Sequence, residues 1–146
     1  MCQRKVKSQS KNNNRTINVR DNTTTDSETL VWSFDKIDIN GHFHFNCDRL
    51  DMKHRDLLYY IFQYSARTWG SIKRDTHDDG KSKHHFLNYD KLSSHAKDRI
   101  AFMQIEDDNI YSLALTNKLR IIGQRDGRVF RAIWFDPEHE FCPSSR

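Results

Sequence analysis

Ten residues in mid-chain, His77 to Phe86 (HDDGKSKHHF), bring together side chains able to bind phosphate, ligate metal or move protons. A phosphate-binding P-loop needs G-x-x-x-x-G-K-[ST], because the amides of its glycine-rich turn wrap the phosphates at the start of a helix. Gly80-Lys81-Ser82 supplies the end of that pattern, but Asp75 occupies the first glycine position and Asp78 and Asp79 would set negative charge beside the phosphates. No strongly apolar strand precedes the segment, so the match fails. A metal site is the second chemistry, with His77, Asp78, Asp79, His84, His85 and the distant His139 as nitrogen and oxygen ligands. Their spacing fits none of the specific patterns, such as H-E-x-x-H, and neither a metal nor a cofactor is expected.

The third chemistry is metal-free cleavage of a phosphodiester. Attack by the 2′-hydroxyl of RNA on its own phosphate needs a base that is neutral near pH 7, an acid for the leaving oxygen, and fixed cations on the phosphorane. Histidines and arginines suffice. Arg120 lies between Leu119 and Ile121, and Arg131 between Phe130 and Ala132. Strand alternation therefore turns both arginines away from their apolar neighbours, onto one face of a sheet if the register agrees, where they would cradle a phosphate. His85 and His139 are the candidate base and acid. Lys83, His84, Arg99, Arg125 and Arg128 are candidate RNA contacts, the last two from a hairpin turn. A strand arginine facing solvent and a lone surface histidine are the ordinary alternatives for each of these residues.

The elements that position these residues follow from texture. Residues 1–28 are Ser, Thr, Asn, Lys and Arg with almost no apolar side chains, and read as a disordered basic tail. Residues 29–146 read as a single domain. Leu30 to Ile37 and His42 to Phe45 flank Asn40-Gly41, which predicts a β-hairpin with Phe43 and Phe45 inward and His42 and His44 outward. Between Asp51 and Arg74, Leu58, Ile61, Phe62, Ser65, Trp69 and Ile72 recur at close to helical period. Asp75 to Asn88 has no period and reads as a loop. Asp90 or Ser93 can cap a second helix, with Leu92, Ala96, Ile100 and Met103 on one side and His95 and Arg99 on another. Residues 110–115, 119–123 and 129–135, with Arg125-Asp126-Gly127 between the last two, predict an antiparallel meander that stops at Pro137. The fold expected is α+β, two helices packed on an antiparallel sheet.

At 146 residues the chain can build one modest core. Its formal charge is +4, of which the first 28 residues hold +3, from six Lys and Arg against Asp21, Asp26 and Glu28. The rest carries +1, so a basic face on the folded part must come from segregation of charge. Nothing in the sequence has the roughly 18 apolar residues of a membrane span, and no secretory leader follows Met1, so a cytoplasmic location is expected. Cys2, Cys47 and Cys142 form no C-x-x-C pair and read as reduced thiols.

An apolar strand with Trp32-Ser33 near the domain start, two helices, and a closing meander reading YSLALTNKLRIIGQRDGRVFRAIWFDPEHEF together resemble the RelE/ParE superfamily of small bacterial toxins, over roughly residues 30–142. The resemblance implies a RelE-like α+β fold. It also implies a toxin of a toxin–antitoxin pair that cleaves messenger RNA on the ribosome without a metal and is restrained by an antitoxin protein. Arg120, Arg131 and His139 fall where such members commonly carry functional residues. The long loop with His84 and His85, and the tail, depart from the family pattern. ParE-like relatives act on gyrase instead. A non-enzymatic inhibitor or nucleic-acid-binding module of the same fold, and a metal-dependent nuclease using the loop histidines and aspartates, are the alternatives.

Overall fold

A computed structural model of the chain describes residues 25–45, 53–106 and 109–143. Within them five strands form one mixed sheet: β1 (Val31–Ser33), β2 (His85–Phe86), β3 (Ile110–Ala114), β4 (Arg120–Asp126) and β5 (Val129–Asp136), in the order β1-β5-β4-β3-β2. Three helices accompany them: α1 (His54–Ser65), α2 (Trp69–Lys73) and α3 (Ser94–Phe102). The α+β class and the closing meander are as the sequence predicts, since β3, β4 and β5 pair antiparallel in succession.

The expected N-terminal hairpin is not there. β1 lies parallel to β5, with Val31 opposite Val129 and Ser33 opposite Arg131. Asn40 and Gly41 instead donate their amides to the buried Asp38 carboxylate. The chain from Asp38 to Phe43 runs beside β5, giving the Asp38 N–H to Ile133 O and accepting the Phe135 N–H at Phe43 O. A local acidic acceptor thus captured the Asn-Gly pair that a hairpin would have used. Phe43 is buried and Phe45 stacks on Phe135, so the inward aromatics are placed as expected.

The helical period between Asp51 and Arg74 resolves into two helices (residues 51 and 52 lie outside the described residues). α1 ends at Ser65, and Thr68 caps α2 by accepting the Ser71 N–H. Because the chain turns between them, the apolar stripe loses phase. Leu57 and Tyr64 are buried, whereas Leu58 and Phe62 are 63% and 68% exposed. Ser93 caps α3 as expected, through the Ala96 N–H.

The sheet is covered on both faces. Leu57, Tyr64, Trp69 and Ile72 of α1 and α2 pack on Tyr111, Leu113, Ile121, Phe130 and Phe135. Ala96 and Ile100 of α3, with Phe43 and Phe141, pack on Ile110, Ile122, Ile133 and Trp134. One irregularity puts two consecutive β5 residues, Ile133 and Trp134, into the same layer. Ile122 pairs with Trp134 and Gly123 with Ala132, leaving Ile133 as an extra residue in a β-bulge. A side chain at Gly123 would run into the backbone of Arg131, which explains the glycine there.

Residues 1–24 of the tail lie outside the described residues. Its last residues are tied to the domain. Lys73 pairs with Asp26 at 2.8 Å, and the Trp69 and Gly70 amides donate to Glu28 O and Asp26 O.

Candidate active site

β4 begins at Arg120, which stands opposite Ala114 on β3 and Asp136 on β5. Pleat alternation, corrected for the bulge, puts Arg120 and Asp136 on the α3 face with Ile122 and Trp134. Arg120 is 6% exposed. One arm of its guanidinium, Nη1, donates to Thr116 O at 2.9 Å and Leu119 O at 3.2 Å. Nε and Nη2 have no hydrogen-bond partner among the described residues, and no carboxylate lies within 4.0 Å of the fork. Burial disfavours its charge, an effect that Asp136 and Tyr64 partly offset, yet an arginine stays protonated at any physiological pH. A buried cation with two donors unused among the described residues can receive an anion, and its planar fork suits a phosphate.

Past the end of β5, Pro137 and Glu138 turn the chain and His139 follows at φ 59°, in the left-handed region. Few non-glycine residues adopt that conformation, which costs on the order of 1 kcal/mol and persists only where surrounding contacts impose it. Its imidazole is half-buried and makes no hydrogen bond among the described residues. Burial pulls its pKa below the ordinary 6.5, and the neighbouring charges of Arg120, His85 and His77 lower it further. At pH 7 His139 is therefore neutral with a free lone pair, the state of a general base.

His85 pairs with Ser112 in β2 and so shares the α3 face of the sheet, while Phe86 packs against the other core. It is exposed, and its Nδ1 lies 3.1 Å from Phe86 O. That contact assigns the proton to Nδ1 and leaves Nε2 free to exchange one. His77 sits in the preceding loop, whose ends are tied by the Thr76–Ser82 bridge and by the His77 N–H to Lys81 O. Lys83 is half-buried on the same loop. The segment His77 to Phe86 thus brings two histidines into the electrostatic surroundings of His139.

His84, the neighbour of His85, does something else. Its side chain is completely buried, Nε2 donates to Asp75 Oδ2 at 2.9 Å, and Nδ1 accepts the Ala114 N–H at 3.0 Å. Both nitrogens are spent inside the protein, so the expected RNA contact is corrected to a structural bridge from loop to sheet. Burial drives its pKa down to about 4 against the pull of Asp75, which means the imidazole is neutral. Burial would raise Asp75 in turn, but hydrogen bonds from Arg67 and His84 hold it at about 2. Asp75, the residue that breaks the P-loop pattern, is thus the anchor of the loop. Tyr64 completes the cap by donating its hydroxyl to Ala114 O.

Four of the five other arginines and lysines named from the sequence are likewise engaged within the protein. Arg131 lies on the same face as Arg120 but pairs across with Gln124, four residues along β4, about 13 Å away at the usual strand rise. It donates to Asp35 at 3.0 Å, and the two arginines do not form a common cradle. Arg99 grips Asp38 with two hydrogen bonds, beside the Trp134 indole that donates to the same carboxylate. Arg125 is 1% exposed, lies 3.8 Å over the Trp69 ring and donates to Gly127 O and Thr25. Arg128 donates to Thr29 O and Oγ1. The acceptors of Arg99, Arg131 and Arg128 lie 61, 96 and 99 residues away along the chain, so sequence alone does not display them.

Asp136 was not singled out by the sequence reading, although Asp136-Pro137 after an apolar run is a turn signal. Its buried carboxylate accepts the Glu140 and Phe141 amides. Among the described residues no three His, Cys, Asp or Glu side chains stand close enough to share a metal ion, the loop histidines and aspartates included. No helix there is long and apolar enough to cross a membrane. Cys142 forms no disulfide among the described residues, and Cys2 and Cys47 lie outside them. A shallow groove of about 490 Å³ lies on α1, lined by Arg55, Asp56, Leu58, Tyr59 and Phe62, away from these histidines. No family model, curated protein or solved structure matches the chain.

Proposed function

We propose that this protein is a metal-independent RNA endonuclease, the toxin of a toxin–antitoxin pair, acting on messenger RNA at the ribosome. What supports the reading is a buried Arg120 with two donors unused among the described residues, and a neutral His139 lacking a hydrogen bond there, whose imidazole feels the charges of Arg120 and His85. In the proposed step His139 takes the proton of the 2′-hydroxyl, and the 2′-oxygen attacks the adjacent phosphorus. Arg120 holds the non-bridging oxygens as charge builds on them. The bond from phosphorus to the 5′-oxygen breaks, and a protonated His85 gives that oxygen its proton. The products are a cyclic phosphate and a free 5′-hydroxyl. Lys83 and His77 remain as contacts for the flanking strand. The exposed apolar residues Leu58, Tyr59 and Phe62 of α1 support a protein partner, which under this reading is the antitoxin.

The test is cleavage of RNA in a ribosome-containing translation mixture with excess chelator. Cleavage is expected to continue in chelator and to fall at least about 100-fold in His139→Ala and in Arg120→Ala, the usual worth of a general base or a fixed cation. Activity that returns only with a divalent metal, or that both variants keep, refutes the reading. The second outcome would favour a non-enzymatic binding module, for which the apolar face of α1 is the supporting observation.

A further inference from the structure

Two costly features lie within four residues of each other at the end of β5. Asp136 buries a carboxylate at 1% exposure, and His139 holds a left-handed backbone conformation. Buried charge and backbone strain persist where something else in the fold requires them. The obvious partner for the carboxylate is Arg120, directly opposite in register. No Arg120 nitrogen comes within 4.0 Å of it, however, and the guanidinium donates to Thr116 O and Leu119 O instead. Asp136 spends its oxygens on the turn: Oδ1 accepts the Glu140 N–H at 2.9 Å and Oδ2 the Phe141 N–H at 2.8 Å.

These two bonds close a loop around His139. The turn has other attachments, and they leave His139 isolated. Lys118 pairs with Glu138 at 3.0 Å and His42 with Glu140 at 3.4 Å, both at the surface, while Phe141 is fully buried under Trp134 and Phe43. The residues on either side of His139 are thus held, and its own imidazole makes no hydrogen bond among the described residues.

We propose that Asp136 is a positioning residue for His139, its carboxylate clamping the Glu140 and Phe141 amides so that the turn presents the imidazole beside Arg120 and His85. The inference rests on the RNA-cleavage reading for what His139 does, and on the clamp geometry for how it is held. An anion suits the task because each oxygen takes one amide through a charge-assisted bond. A neutral Asn would set an N–H donor against one of the two amides.

The full-length protein with Asp136→Asn tests this by two readouts. The first is titration of the His139 Cε1–H by NMR, assigned with His139→Asn. Freed from its half-buried seat, the imidazole is expected to titrate closer to 6.5 than in the wild type. The second is the pH profile of RNA cleavage. The acid limb is expected to move to higher pH with the same histidine, and kcat to fall about 10- to 100-fold with KM nearly unchanged, as misplacement of a catalytic group does. Ile72→Val, a core change on the opposite face of the sheet, should move neither readout, which separates positioning from lost stability. If Asp136→Asn does not fold, Asp136→Ser keeps one acceptor and gives the same shifts at smaller amplitude. A His139 titration unchanged from wild type overturns the clamp. A wild-type protein that cleaves no RNA overturns the functional reading instead, and the titration still decides the clamp.

Discussion

Acidification from pH 7 to pH 4.5 should weaken the fold mainly through His84. In the unfolded chain this histidine takes up a proton near its ordinary 6.5, whereas in the fold burial delays that to about 4. Above pH 6.5 both states are neutral and the full stability is present. As pH falls through the interval the unfolded chain binds a proton that the fold refuses, so stability drops by up to about 1.4 kcal/mol per pH unit. Across the whole interval from 6.5 to about 4 the loss is about 3 kcal/mol. That is a large part of the roughly 5–15 kcal/mol by which a domain is stable. Asp75 does not confuse the result. Its pKa of about 2 withdraws stability only below the ordinary 3.8, at still lower pH. The assay is urea unfolding followed by tryptophan fluorescence at pH 7.5, 6.5, 5.5 and 4.5, for wild type and His84→Gln. Glutamine stays neutral and retains a donor and an acceptor, so its curve should be flatter in this window. A wild-type stability that does not fall, or an equally steep fall in the variant, would refute the reasoning, as would NMR evidence that His84 protonates near pH 6.

Three further outcomes follow from single sites. Gly41→Ala should cost about 1–3 kcal/mol in thermal unfolding, because its new methyl would sit 2.6 Å from the Asp38 carboxylate and against Arg99. His139→Gly should unfold at a slightly higher temperature, by a gain of about 0.5–1 kcal/mol from the relieved left-handed backbone, and under the proposed reading it should also lose RNA cleavage. Arg125→Leu should lose about 1–3 kcal/mol and, under the proposed reading, leave cleavage per folded molecule unchanged, since its buried guanidinium lies over Trp69.

Alternation along β4 and β5 was legible in the sequence, and it placed Arg120 and Arg131 on one face. Their separation along that face was not, because it depends on the register set by the turn at Gly127, which pairs Arg131 with Gln124. The helical period also carried over in part. It marked Ile61, Trp69 and Ile72 as inward but misassigned Leu58 and Phe62, because the break after Ser65 resets the phase. Asn40-Gly41 misled for a different reason: the buried Asp38 two residues earlier outcompeted the hairpin. Of the candidate site, the strand position of Arg120 and the place of His139 past the last strand could be read from the sequence, whereas His85, expected in a loop, lies in β2. His84 could not be told from His85, since the difference lies in Asp75 and the Ala114 amide, which approach only in the fold.

The extra residue in β5 settles a question of parity. Phe130, Ala132 and Phe135 face α1 and α2, and Ile133 and Trp134 both face α3. Were Ile133 to pair regularly with Ile122 instead of bulging, every residue beyond it would change sides: Phe135 would stand opposite Arg120, and Asp136 would turn into the apolar layer under α1 and α2. One unpaired residue thus decides which face of the sheet's end is charged and which is apolar.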